Sequence, residues 1–292
     1  MLIATAIMTV GLVMIATIFP VGVRLTGLSA ERSVAAVVAD EAFAKIQLYG
    51  LRDFVNWPAA QLNPVAGNPD PDATYYFCDL FSYTTMYEDA GPDGLYGTPD
   101  DVYVDSAWDE FLYPSFMNSG EEQKYHWSAL CRRTDLKDVQ VTVLITNKTF
   151  AGMSYHAFQY DGTDYVPSQT GPWPSPVRVS VSFDAAAGQE KILRLADDSY
   201  YTAAEAQAFF GEGFTIVDDY SGRIYRVLEV KDVDDPADGV MDLVLYDDWQ
   251  PDPAVTVFPH METVWVVPPG VGSDRYPCVG VFQRVIRFDA IQ

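Results

Sequence analysis

The stretch MLIATAIMTVGLVMIATIFPVGV, residues 1–23, carries no ionisable side chain, and Arg24 is the first charge in the chain. At 1.5 Å per residue such a run makes a helix of about 35 Å, enough to cross the hydrocarbon core of a bilayer. The apolar run does not end in a loop. Residues 24–49, RLTGLSAERSVAAVVADEAFAKIQLY, keep helix formers and add a polar face of Arg24, Glu31, Arg32, Asp40, Glu41 and Lys45. Val34, Val37, Val38, Phe43 and Ile46 fall at roughly helical spacing. The pattern predicts one continuous helix over residues 1–50, apolar in its first half and amphipathic in its second. Residues 51–292 are a different kind of sequence.

Working outward from the helix, turn dipeptides at Trp57-Pro58, Asn63-Pro64 and Asn68-Pro69 stop it and bar a new one. Beyond them the pattern is that of strands. Residues 75–86 are aromatic and Thr-rich, and residues 139–145 are a β-branched run. Residues 108–129 read as irregular. Residues 166–176 contain Pro167, Pro172, Pro174 and Pro176 and read as a crossing loop or a subdomain seam. In residues 177–183, Val177, Val179, Val181 and Phe183 alternate with Arg178, Ser180 and Ser182, and residues 191–195 offer a partner strand. Thr202-Ala203-Ala204-Glu205 is a capping box that opens a short helix to about Phe210. Residues 224–230 and 240–245 suit a hairpin, and residues 255–258, 263–267 and 279–288 supply the last strands. The expected fold is α+β, a long N-terminal helix packed against a mostly antiparallel β-rich head, residues 51–292.

The totals bound the partners. Among 292 residues, 41 Asp and Glu outnumber 18 Lys and Arg, for a formal net charge of −23. No basic surface is available to displace counterions, which excludes a nucleic-acid partner. Solubility, cation binding and recognition of a basic partner are the three readings of this acidity. Cys78, Cys131 and Cys278 contain no Cys-x-x-Cys pair, so a zinc site is not indicated, and three histidines supply a metal or catalytic centre poorly. In an oxidising compartment one disulfide and one thiol remain. Cys78–Cys131, which flank the same acidic insertion, is the preferred pair and Cys131–Cys278 the rival.

That insertion reads Asp89-Ala90-Gly91-Pro92-Asp93-Gly94-Leu95-Tyr96-Gly97-Thr98-Pro99-Asp100-Asp101, with Asp105 just beyond. Ca2+ takes six to eight oxygen ligands, which Asp89, Asp93, Asp100, Asp101 and Asp105 would supply while the glycines permit tight turns. The same composition also describes a solvated turn whose carboxylates cap their own backbone. A second cluster, Asp232, Asp234, Asp235, Asp238 and Asp242, lies between two expected strands and reads first as a hairpin turn and second as a metal site. Enzyme signatures are absent: no Gly-x-Ser-x-Gly, no His-Glu-x-x-His and no phosphate-binding glycine loop before a helix. The expectation is a protein that is not an enzyme.

Leu2-Ile3-Ala4-Thr5-Ala6-Ile7-Met8 followed by Val10-Gly11-Leu12 resembles the hydrophobic N-terminus of type IV pilins and pseudopilins, most of all their minor-pilin and type II secretion relatives. In that family a basic leader is cut by a prepilin peptidase and the mature chain carries a glutamate fifth. Met1 matches the position after that glutamate, so the resemblance implies that a leader and about five mature residues precede Met1. If Met1 is instead the mature first residue, Thr5 stands in the glutamate's place. The acidic insertion resembles the Asp/Gly calcium loops of major pseudopilins, although those sit nearer the C-terminus. Pro20 and Gly22 match the depth at which pilin helices carry a proline, and helix weakening is expected between Gly11 and Gly22.

The resemblance implies a filament subunit that waits in a bacterial inner membrane and then packs against copies of itself, handled by a pilus or secretion assembly machinery. The product is an extracellular filament or a periplasmic pseudopilus. Arg24, Glu31 and Arg32 lie where inter-helix charge pairs set register. The alternatives are a single-pass membrane-tethered extracytoplasmic binding protein and a minor tip pseudopilin.

Overall fold

The computed structural model describes residues 2–47, 74–76, 87–89, 102–103, 111–114, 124–134, 138–148, 152–160, 165–171, 173–184, 190–196, 201, 203–232, 241–251, 259–273 and 275–287. Helix α1 is Leu2–Lys45. Its apolar stripe on the head side is Ala35, Val38, Ala39, Ala42, Phe43 and Ile46, all at most 3% exposed. These positions follow an i, i+3, i+4, i+7 pattern, so about the last three turns pack and the rest of the helix projects. Three of the six are alanines, which let the helix axis approach closely; Ala35 Cβ lies within van der Waals distance of where a Cβ on Gly280 would stand.

The packed end rests on an antiparallel sheet of β1 (Thr74–Tyr76), β4 (Leu112–Tyr113), β5 (Tyr125–Arg133), β6 (Asp138–Asn147) and β15 (Cys278–Arg287), in the order β1-β5-β6-β15 with β4 also on β5. The register Ala129↔Val143↔Phe282 and Cys131↔Val141↔Arg284 puts these residues on one face. That is the helix face. Arg284 pairs with Asp40 of α1 and sets its guanidinium 4.5 Å over the ring of Phe43. The other face carries Leu130, Thr142, Leu144 and Gln283. It meets a second body through Val217 and Trp265, which share a core cluster with the sheet and the helix.

That second body is a closed antiparallel barrel. Its strands are β9 (Val177–Phe183), β10 (Ile192–Leu195), β11 (Thr215–Asp218), β12 (Ile224–Asp232), β13 (Met241–Leu245) and β14 (His260–Val266). The order β10-β13-β12-β11-β14-β9 is a ring, closed because β9 pairs both with its sequence neighbour β10 and with the distant β14. Interior side chains alternate as a barrel requires: Val177, Val179, Val181 and Phe183 are buried between half-buried polar neighbours, and Met241, Leu243 and Leu245 repeat the pattern. The short helix α2 (Ala203–Gln207) and the turns after it add Ala206, Phe209, Phe210 and Phe214 to the same cluster. Two ribbons, β2 (Tyr87–Asp89) with β3 (Val102–Tyr103) and β7 (Tyr155–Tyr160) with β8 (Tyr165–Gly171), complete the described strands.

Sheet and barrel are joined by polar groups that meet in the turn between β11 and β12. Asp218 accepts hydrogen bonds from the backbone N–H of Tyr220 and Ser221 and from the Ser221 hydroxyl. Gly222, at φ +67°, turns its carbonyl to the Gln140 and Gln283 side-chain amides, while Arg132 donates to the Ser221 carbonyl. Asp219 accepts from Trp265 Nε1 and from Arg178, both at 2.6 Å. A buried carboxylate answered by two donors of this kind fixes orientation, because losing either donor strands a charge.

Several expectations meet the structure here. The α+β arrangement of a long helix packed against a pilin-like head is not what the structure shows: the fold is mostly β with a six-stranded antiparallel barrel, and the buried residues described on α1 lie in its C-terminal turns. The reason is closure. The β9–β14 pairing joins strands far apart in sequence, and alternation within each strand is the same for an open sheet and a barrel. Where helix weakening is expected, between Gly11 and Gly22, α1 runs on as one helix with Pro20 inside it. Residues 166–171 of the expected crossing loop belong to a strand, and the expected irregular stretch 108–129 contains β4 and the first five residues of β5.

Candidate functional site

Two surface features distinguish the described residues. The first is the projecting part of α1. Met8, Leu12, Met14, Ile18, Phe19, Val21, Val23, Leu25 and Leu28 are 45–71% exposed, a concentration of exposed large apolar side chains on one helix of the kind that marks an interaction surface. Pro20 and Gly22 sit exposed within it. Pro20 has no N–H, so the carbonyl one turn earlier lacks its helical donor. Thr26 bonds back to the Gly22 carbonyl at 2.9 Å. Among the residues whose side chains are described, no helix is long and apolar enough to cross a membrane.

The second is a cleft of about 930 Å³ where α1 leaves the head. Gly27, Leu28, Glu31 and Arg32 form its helix wall; Thr215 and Arg226 come from the barrel, with Gly213 just before β11; Arg275 and Tyr276 come from the segment leading into β15, which Cys278 begins. Barrel geometry explains Arg226. Tyr225 and Val227 point into the core, so residue 226 must point out, directly across from Thr215. Its guanidinium lies over Gly213, where a Cβ would come within 3.4 Å of it. Tyr276 forms the floor: it stacks on Phe214 at 4.0 Å and its hydroxyl accepts from the Thr215 N–H at 2.9 Å and donates to the Thr215 carbonyl. Burial and the neighbouring Cys278 raise the Tyr276 pKa well above the ordinary tyrosine value. Burial likewise pushes the Cys278 thiol up to about 11, so it is protonated and a poor nucleophile at neutral pH.

The structure thus brings Glu31 and Arg32, expected as assembly residues, into one cleft with Arg226, Arg275 and Tyr276, which the sequence did not single out. The side chain of Arg24 lies outside the described set. Of the first acidic cluster, Asp89 ends β2 opposite Val102, whereas Asp93, Asp100, Asp101 and Asp105 lie outside the described residues. In the second, Asp232 ends β12 opposite Met241, Asp234, Asp235 and Asp238 are outside, and Asp242 holds an ion pair with Arg194 at 3.2 Å. Among the described residues no group of three or more His, Cys, Asp or Glu could hold a metal. Cys131 is buried in β5 and Cys78 is outside the described residues. Cys278 is a free thiol, so the rival Cys131–Cys278 disulfide is not formed.

One buried histidine stands apart from both features. His126, on β5, stacks on Trp173 at 5.7 Å, and neither ring nitrogen makes a well-formed hydrogen bond among the described residues. Burial and the Lys148 ammonium lower its pKa to about 3, against a smaller opposing effect of the Pro174 carbonyl. It is a neutral core residue. Comparison with family models, curated proteins and solved structures finds no match for this chain.

Proposed function

We propose that the protein is a structural, non-catalytic subunit of an extracellular filament of the type IV pilus or pseudopilus kind, assembled by packing the projecting part of α1 against copies of itself. The observation that carries this reading is the exposed apolar surface from Met8 to Leu28, on a helix whose last turns are locked to the head. Before assembly the bilayer of an inner membrane would cover that surface, and in the filament neighbouring helices would. A helix rigidly held at one end and apolar at the other repeats the same head-to-tail contact in every copy, and such contacts build open helical polymers when they do not close. An assembly machinery of the pilus or secretion type is the implied partner. Ca2+ bound by the acidic segment around Asp93 is part of the same reading.

The cleft beside α1 favours a second reading, a membrane-tethered extracytoplasmic binding protein whose helix is merely an anchor, and a minor tip pseudopilin stands between the two. Leu25→Glu separates them. Leu25 is 61% exposed, so the change leaves the fold intact. In a filament it places an unpaired charge in the helical core, and pelletable polymers should be lost from preparations of the full-length chain. A tether would lose membrane attachment at most, and no polymer would be seen for either protein.

A further inference from the structure

Some basic residues of the described set meet a carboxylate, and others, Lys124, Lys148 and Arg223 among them, do not. Arg178, Lys191, Arg194, Lys231, Arg284 and Arg287 each meet a carboxylate of their own chain. With 41 acidic residues against 18 basic ones that is the expected state of a cation here. Arg32, Arg226 and Arg275 line one cleft, and none of the three has an ion pair among the described residues. Glu31, in the same cleft, is not within ion-pair distance of them. Three arginines without an ion pair among the described residues line one concave surface, whose floor residues Thr215 and Tyr276 are held in place by their mutual hydrogen bonds. Walls of low polarizability strengthen the field inside such a cleft relative to an open surface.

We propose that this cleft receives an acidic segment of a second copy of the chain. Charge complementarity selects the occupant: a molecule of net charge −23 offers carboxylates in excess on its outside and gathers three unpaired arginines in one place. The position agrees. Gly27, Leu28, Glu31 and Arg32 continue directly from the exposed apolar face of α1, so a copy packed on that face arrives beside the cleft. Arginine is suited to the task because its planar fork takes carboxylates bidentately. Two uninterrupted sources exist in the sequence: residues 88–105, with Glu88 and five aspartates and no basic residue, and residues 232–239, with four aspartates. The inference rests on the self-assembly reading above and names the contact that orients one head on the next.

The test titrates fluorescent peptides of residues 88–105 and 232–239 into the full-length chain, with inorganic phosphate as a separate probe, and follows self-association by sedimentation velocity. At least one peptide should bind and dissociate as salt is raised. It should also compete copies apart. The Arg226→Gln/Arg275→Gln chain should bind about tenfold more weakly or worse. Arg32→Gln, a change on the exposed helix wall that cannot unfold the barrel, should weaken it in the same direction, and Arg226→Lys/Arg275→Lys should recover part of the loss. Absence of peptide binding to the folded chain, binding indifferent to all three arginines, or binding of phosphate but of neither peptide each overturns the proposal. Polymers that form through α1 and ignore the arginines remove the cleft assignment alone. Arginine-dependent dimers that never polymerise remove the filament alone.

Discussion

Asp219 is a residue whose neighbours decide its worth. Its carboxylate sits between Trp265 Nε1 and the Arg178 guanidinium at the seam of sheet and barrel. Asp219→Ala should cost about 2–4 kcal/mol in chemical denaturation, since it leaves a partly buried guanidinium and a buried indole N–H without their acceptor. Gly222 is bound to its position twice over, by a positive φ and by the Gln140 amide, which a Cβ would approach to 2.8 Å. His126 predicts a pH dependence. Its pKa is about 3 in the folded chain against 6.5 when exposed, so below pH 6.5 the unfolded chain takes up a proton that the folded chain refuses. The sign is therefore destabilisation by acid, starting near pH 6.5 and continuing towards 3, worth about 1.4 kcal/mol per pH unit between. Denaturation midpoints at pH 7 and pH 5 should differ more for the native chain than for His126→Phe, which keeps the stack on Trp173; equal differences would mean that the ring is not held neutral.

At the scale of elements, α1 has two halves with opposite sensitivities. Phe43, 3% exposed and covered by Arg284, should cost about 3–5 kcal/mol when changed to Ala, read as a lower unfolding midpoint of the isolated chain. Leu25→Glu should leave that midpoint within about 0.5 kcal/mol and abolish polymers. The contrast shows how legible the helix is from sequence. Its existence and extent follow from the uncharged run and helical spacing, but the spacing named Val37, which is 54% exposed, and passed over Ala35, Ala39 and Ala42, which are buried. Hydrophobicity points to large side chains, whereas close packing on a sheet selects small ones. Strand β5 was missed for a related reason. His126 and Ser128 are buried beside Trp127 and Ala129, so both faces are covered and the alternation that marks a half-exposed strand is gone.

For the whole molecule, individual barrel strands such as Val177–Phe183 and Met241–Leu245 can be read from alternation, but the barrel cannot, because closure is a property of the pairing between β9 and β14. The cleft was half legible. Glu31 and Arg32 stand out on a helix by their charge, whereas Arg226 and Arg275 become neighbours of that helix only after the barrel has folded against the sheet. What unites the molecule is a division of labour along one helix: its last turns cement the head, residues 27–32 border a cleft lined by arginines, and the described side chains from Met8 to Leu28 include large apolar ones that a single chain leaves exposed. The central claim is that other copies cover that face. Cryo-electron microscopy of material assembled from the full-length chain tests it most directly. The account predicts helical polymers in which Met8 to Leu28 of each subunit is buried against neighbouring helices and the heads lie outside; single particles with that stretch embedded in lipid or detergent under every assembly condition would contradict it.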